Sequence, residues 1–341
     1  MAAYRMQTKC LWNEKNMSYA QKDVCYFRDK LSDVGNKQMD NLTNTSMFLV
    51  VEHGSVSNVK YIYFAGSLLL YLVTVSVNIL LVTVISLRKS LHEPMYILIC
   101  NLAVNGIYGT TAFLTISMAN MLLENVSPTV CFIQAFCVLT FSTSEWTIFT
   151  VMAYDRYVAI CNPLQYITIM SPLKILFLLV IAWIYSFLLI GTICFTKGLH
   201  RCGSNTDRPF CNNMSLAKLT CFDNSDDSYV GLIPVLIDTG IPMSAIVFSY
   251  TKVLIVCFNK SKEARNKALQ TCSTHVVVLV LFMMGCLFAV IEPELSVTEI
   301  PVTIHFMLSL ECILVPPITN PLIYGIRTEK LRKEIIAFFK R

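Results

Sequence analysis

Residues 152–166 read MAYDRYVAICNPLQY, and the reading of this stretch decides the fold. Asp155 and Arg156 stand at the end of an apolar run that begins near residue 131. Charge inside lipid costs roughly 2.5–3.5 kcal/mol per residue on insertion scales, so a charged pair at this place needs a reason. Taken alone, Arg156 reads as a snorkelling anchor at the membrane interface. Its upstream neighbours argue for more. Val138, Ser142, Glu145, Phe149, Met152 and Arg156 recur at helical spacing and line one face. At 1.5 Å per residue that face is about 27 Å long. One rigid face therefore crosses a bilayer core, with an acid at its middle.

Working outward, the composition makes lipid the solvent. Of 341 residues, 55% are hydrophobic and 14% charged, and the mean hydropathy is +0.58. A soluble chain carries about 25% charged residues. A membrane helix needs roughly 20 mainly apolar residues. Such stretches lie at roughly 61–87, 95–121, 131–158, 173–196, 230–256, 273–291 and 302–325. The expected fold class is all-α: a seven-transmembrane helix bundle. No HExxH, P-loop, GxSxG or GxGxxG pattern and no paired CxxC occurs, which argues against an enzyme. The net charge of +5 is modest and includes no basic run suited to nucleic acid. No internal repeat is visible, which argues against an inverted-repeat transporter.

Orientation follows from Lys and Arg in the short loops. One set of connections holds Arg88 and Lys89, then Lys260, Lys262, Arg265 and Lys267, then Arg327, Lys330, Arg332 and Lys333. The opposite set holds Glu124, Asp223, Asp226, Asp227, Glu292, Glu294 and Glu299. The basic side is expected to be cytoplasmic, which places the N-terminus outside and the C-terminus inside. Asn41 and Asn44 sit in N-x-S/T on the expected outside and are the candidate glycosylation sites; Asn259 matches on the expected inside, so the pattern is permissive. Residues 1–60 form an extracellular tail. Its first 38 residues read either as an extension ahead of a start at Met39 or as a disordered tail. Residues 61–325 form the helical domain, and 326–341 a cytoplasmic tail. In that tail Leu331, Ile335 and Phe339 fall at i, i+4 and i+8, with Lys330, Arg332, Lys333 and Lys340 on other faces. This is the pattern of a short amphipathic helix on the membrane surface.

MAYDRYVAICNPLQY resembles the third-helix signature of the olfactory branch of rhodopsin-like G-protein-coupled receptors. PMYILICNLAV (94–104) is similar to the family's second helix. KALQTCSTH (267–275) is similar to the start of its sixth. PPITNPLIYGIR (316–327) carries the Asn-Pro-x-x-Tyr element of its seventh. The four blocks stand in the family's order, and the resemblance covers roughly residues 39–335. The wording NLAVNG and YGTTAF resembles fish members more than mammalian ones.

The resemblance implies an odorant receptor of the plasma membrane. A small-molecule odorant shifts a resting–active equilibrium, and the active state engages a heterotrimeric G protein of the olfactory stimulatory type, raising cyclic AMP. Coupling roles carry over to Asp155, Arg156, Tyr157, His275, Asn320, Pro321 and Tyr324. A pocket in the outer half, between helices three, five, six and seven, implies Val138, Leu139, Ser142, Thr143, Asp238, Cys286, Val290 and Glu311. Asp238 and Glu311 are acids within spans: either they meet a ligand amine, or they are protonated or face water. The family's disulfide pattern selects Cys131–Cys211 and Cys202–Cys221 among the 14 cysteines; Cys100, Cys137, Cys194, Cys286 and Cys312 read as packing thiols. Pro94, Pro163, Pro242 and Pro321 match family positions, with Pro242 and Pro321 inside spans as kink points. The family also implies a sodium ion at Glu145 and Asn320, near Asn78. Here Gly106 replaces the family's second-helix Asp, so a sodium site and a protonated, hydrogen-bonded Glu145 both stay open. The family's Phe-Tyr-Gly on the sixth helix departs to Phe282, Met283 and Met284. The alternatives are a rhodopsin-like receptor for a non-odorant small ligand or peptide, which the four blocks disfavour, and a transporter or channel, which leaves them unexplained.

Overall fold

The computed structural model describes residues 56–123, 128–198, 236–259, 261–291 and 302–340. Two units divide the chain, Met1–Tyr61 and Ile62–Arg341; the first lies almost wholly outside the described residues, and with it Asn41, Asn44 and the expected extension 1–38. In the second unit the described residues are helical apart from short connections, with no strand among them. Helix α1 spans Val56–Leu87, α2 Pro94–Leu123, α3 Pro128–Cys161 and α4 Pro172–Gly198. A π-turn at Leu236–Gly240 leads into α5, Ile241–Phe258. Helix α6 spans Lys262–Ile291, α7 Val302–Arg327 and α8 Glu329–Phe339.

Five of these helices are long and apolar enough to cross a membrane: Tyr61–Leu87, Pro94–Asn120, Phe132–Cys161, Pro172–Phe195 and Ile237–Phe258. The sixth expected span, 273–291, lies in a helix that starts at Lys262, because the basic stretch before Cys272 is helical without being apolar. The apolar part of α6 is Cys272–Leu287. Helix α7 carries the seventh expected span from Val302.

Burial ranks the helices. In α3, 61% of the apolar window is buried, and in α2, 56%; in α1, α4 and α5 the share is 28%. Helix α3 is therefore central, and the last three are peripheral. Their outward faces are apolar: Leu69 and Leu72 on α1, Phe177 and Leu188 on α4, Phe248 and Ile255 on α5 are all exposed. A continuous exposed apolar belt is intolerable in water and suited to lipid. The main core joins Leu81 and Val84 of α1, Leu98 and Leu102 of α2, Trp146 and Met152 of α3, Phe282 of α6 and Tyr324 of α7.

Two prolines shape the backbone because each lacks an N–H for the carbonyl four residues earlier. Pro321 leaves the Pro317 carbonyl without a helical donor. The Asn78 side chain on α1 donates to that carbonyl at 2.7 Å, so α7 stays helical through Pro316, Pro317 and Pro321. Freed carbonyls inside a membrane must find such partners. Pro242 likewise cannot donate to the carbonyl of Asp238. There the chain runs as the π-turn Leu236–Gly240 and becomes α-helical from Ile241, so Pro242 marks a helix junction rather than a mid-helix kink.

Helix α8 is amphipathic and docked. Leu331 is fully buried, and Ile335 and Phe338 pack against the core. The inward aromatic of the last turn is Phe338; Phe339 is exposed, because i+8 drifts past the buried line at 3.6 residues per turn. Polar contacts tie α8 to the turn after α1 and the start of α2. Arg88 pairs with Glu334 at 3.3 Å, Ser90 donates to Glu334 at 2.7 Å, and Lys330 pairs with Glu93 at 2.6 Å. The Glu93 hydrogen bond raises Lys330 above its ordinary lysine value.

Candidate functional site

Polar side chains are costly in the middle of a lipid-solvated bundle, so their placement identifies the working parts. They form a broken column along α3, from the end that carries Arg156 to the half of the bundle farthest from it.

At the Arg156 end, Asp155 is buried and both of its oxygens are used. Arg156 donates from Nε to Asp155 Oδ2 at 2.9 Å and also from Nη2 to the same oxygen. The Tyr166 hydroxyl donates to Asp155 Oδ1 at 2.8 Å. Tyr166 opens a one-turn helix, Tyr166–Ile169, in the connection after α3. Burial and the adjoining Asp155 carboxylate push its phenol above the ordinary tyrosine range, so it remains a neutral donor. Tyr157 is half-buried and packs with Val253, Cys257 and Cys272. Beside this group opens a cleft of about 420 Å³, lined by Arg156, Tyr166, Gln270, Thr274, Arg327 and Glu93 among others.

One step deeper, His275 on α6 shares a hydrogen bond of 3.2 Å between its Nδ1 and the Tyr324 hydroxyl on α7. Both side chains are buried, and the rings pack at 5.4 Å. Above them Phe282 of α6 packs edge-on against Trp146 at 5.0 Å and against Phe149 at 5.6 Å. These contacts join α3 to α6 across the core.

At the middle of α3, Glu145 is fully buried. Asn320 on α7 donates to its Oε1 at 2.7 Å, and Asn105 on α2 donates to its Oε2 at 2.6 Å. Asn105 also donates to the Phe141 carbonyl at 3.0 Å. The amide oxygens of Asn78, Asn105 and Asn320 are buried without hydrogen-bond partners. Among the described residues no three His, Cys, Asp or Glu side chains gather in a metal-binding group. A cation here would therefore be held by Glu145 with amide oxygens of Asn105 and Asn320. In type these oxygens suit a hard cation, with the two amides turned oxygen-first, but a single carboxylate makes a sparse cage. Gly106 is a tight place: a Cβ there would lie 3.3 Å from Asn78 Oδ1 and 3.3 Å from Pro317 Cβ. An Asp at 106 would crowd the α1–α7 contact rather than simply supply a second carboxylate.

In the remaining half, the residues expected to meet a ligand part company. Thr143 on α3 faces Asp238 of the π-turn. Val138 packs with Phe113, Leu114, Met118 and Ile313. Leu139, one residue on, turns towards Ala135, Ile190 and Cys194 on the α4 side. Ser142 is half-buried, and Cys286 packs against the main core. Val290 and Glu311 lie within α6 and α7, but their side chains are outside the described residues, as are the side chain of Cys131 and all of Cys202, Cys211 and Cys221. Two participants carried no signal of their own in the spacing argument. Tyr166 is the last residue of the quoted block, eleven beyond Asp155, and Asn105 is the neighbour of Gly106.

Comparison with known proteins agrees with the blocks quoted from the sequence. A family model described as olfactory receptor matches residues 67–341. The chain is 34% identical over 268 residues to Olfactory receptor 52B6 of Homo sapiens, covering 77% of this chain and 80% of that protein. It is 36% identical over 318 residues to Olfactory receptor 5P56 of Mus musculus, covering 89% and 99%. With Olfactory receptor 4B13 of Mus musculus the identity is 31% over 309 residues, covering 89% and 99%.

Proposed function

Because the chain belongs to the olfactory receptor family, and is a multi-pass membrane receptor of the odorant kind rather than an enzyme, we propose that it couples odorant binding in its outer half to a stimulatory G protein at the plasma membrane. The observation that carries this reading is the Asp155–Arg156–Tyr166 group beside the cleft. The cleft lies at the basic end of the bundle, which the positive-inside rule makes cytoplasmic. Its floor is the end of α3, the most buried helix, whose other half carries Thr143 and Ser142.

In the resting arrangement Asp155 holds the Arg156 guanidinium, and Tyr166 holds Asp155. An odorant that binds the active arrangement more tightly shifts the population towards it; equal affinity for both would shift nothing. The Phe282 contacts with Trp146 and Phe149, and the His275–Tyr324 hydrogen bond, are the α6 contacts that must change if α6 is to swing out and widen the cleft. Arg156, released from Asp155, then offers its fork of donors to the G protein. Cys131–Cys211 and Cys202–Cys221 disulfides secure the extracellular end, Asn41 and Asn44 carry glycans, and a sodium ion at Glu145 favours the resting state.

A screen of odorants on cells that express the receptor with an olfactory stimulatory G protein and a cyclic AMP reporter tests the proposal. Ligand-driven cyclic AMP that requires the G protein is expected. A receptor present at the surface, silent to every odorant and insensitive to the G protein supplied, would contradict it.

A further inference from the structure

Among the described residues, no cation pairs with the Asp238 carboxylate. It stands in the π-turn before α5, within a membrane-spanning segment. Its Oδ1 is buried and has no hydrogen-bond partner. The ion pairs among the described residues are Arg88–Glu334, Arg156–Asp155, Lys330–Glu93 and Lys333–Glu329, so none of those cations reaches it. A partly buried acid in this state either takes up a proton or meets a donor, and a cationic donor is what holds it ionised.

Its surroundings restrict the donor. The side chain facing Asp238 from α3 is Thr143, whose buried hydroxyl points towards the carboxylate and has no other hydrogen-bond partner. Tyr185 of α4 lies near Asp238, but its hydroxyl donates to the backbone carbonyl of Ile237 at 3.4 Å. Two polar groups on different helices are therefore open, one accepting only and one able to accept or donate. The backbone places them so. Pro242 cannot donate to the Asp238 carbonyl, the chain takes the wider π-turn there, and residue 238 is set against α3. Single π-turns are frequent at functional sites. An uncharged odorant alcohol brings one donor and no charge. An alkylammonium ion brings three donors and the missing positive charge.

We propose that Asp238, with Thr143, forms an ammonium-binding subsite, and that the odorants of this receptor include small primary amines. The proposal rests on the odorant-receptor reading and deepens it by naming a ligand class. Asp238 fixes the ammonium group, Thr143 accepts a second N–H, and the alkyl chain lies along apolar helix surface.

The test uses the full-length receptor, n-alkylamines from butylamine to octylamine, and the matching 1-alcohols, with cyclic AMP as the readout. Amines are expected to activate the parent. Asp238→Asn keeps the shape and removes the charge; it should raise the half-maximal amine concentration by about 10–100-fold, the size expected for one hydrogen bond to a charged group. Asp238→Glu should keep more amine response than Asp238→Asn, and Thr143→Val should weaken it less. Alcohol responses, where present, should move little in Asp238→Asn. If Asp238→Asn fails to reach the surface, the comparison of amines with alcohols on the parent and on Thr143→Val decides. A parent that answers alcohols or other neutral odorants but no amine overturns the subsite while leaving the receptor reading intact. Equal amine potency in parent and Asp238→Asn also overturns it. Silence to every odorant tested, amines included, contradicts the receptor reading and the subsite together.

Discussion

The Asn78 amide on α1 donates to the Pro317 carbonyl on α7 at 2.7 Å, and this is the carbonyl that Pro321 leaves without a backbone donor. One side chain therefore repairs the helix defect of another. It also fixes α1 to α7 at the level of Glu145, because Asn320 on the next turn of α7 donates to that acid.

Asn78→Ala should cost about 1–3 kcal/mol, the penalty of a buried carbonyl left unpaired. In a Pro321→Ala background the cost should be smaller, because residue 321 regains the N–H that Pro317 needs. Thermal unfolding of the four purified proteins in detergent measures this. Equal losses in the two backgrounds would separate Asn78 from the proline defect.

The Tyr166 hydroxyl is the third member of the Asp155 group. Tyr166→Phe removes one hydrogen bond to a carboxylate, worth about 1.5–3 kcal/mol, from the arrangement read as resting. Ligand-independent cyclic AMP should rise at matched surface level, and ligand potency should increase with it. A variant with parental basal signal would show that Tyr166 does not hold the resting state.

The apolar stretches were legible because lipid demands long uninterrupted runs, and their limits agree with α2, α3 and α4 to within about three residues, while α1 begins earlier, at Val56. The α3 face was legible because helical spacing is rigid: Val138, Glu145, Phe149 and Met152 are all buried. Contacts between distant segments were less legible. Nothing in local spacing tells Leu139 to face α4 while Val138 faces α2 and α7, since both are apolar residues on the most buried helix. The π-turn at Asp238 depends on how the backbone answers Pro242, which has several solutions. The inward turn of Phe338 instead of Phe339 is a drift of one position, within the error of extending a helical stripe by eight residues.

Glu145 gives a test of cation binding. Dose–response curves taken in sodium and in an impermeant organic cation should differ only weakly for the parent, with lower potency in sodium, because Gly106 supplies no second carboxylate. Glu145→Gln keeps much of the hydrogen bonding with Asn105 and Asn320 and should make the two curves coincide. Gly106→Asp, which would strengthen a two-carboxylate site, meets Asn78 and Pro317 at 3.3 Å; Gly106→Ala is its control for crowding. Identical curves in both media for the parent would remove sodium from the account.

The Lys330–Glu93 pair should contribute little to stability, about 0.2–1 kcal/mol, because both side chains are largely exposed. Its effect should be on where α8 lies. Lys330→Glu should loosen α8 and reduce coupling, and Glu93→Lys in the same chain should restore it. Cyclic AMP at saturating ligand reads this directly, and failure of the swap to restore signal would show that the Lys330–Glu93 pair does not set the position of α8.

Arg156→Ala tests the central claim most directly. The variant keeps the length and apolar face of α3 and lacks the guanidinium that Asp155 holds beside the cleft. Surface expression should remain measurable while ligand-driven cyclic AMP falls to the level of cells without receptor. A full cyclic AMP response from Arg156→Ala, at a surface level equal to the parent, would contradict the account of how this receptor signals.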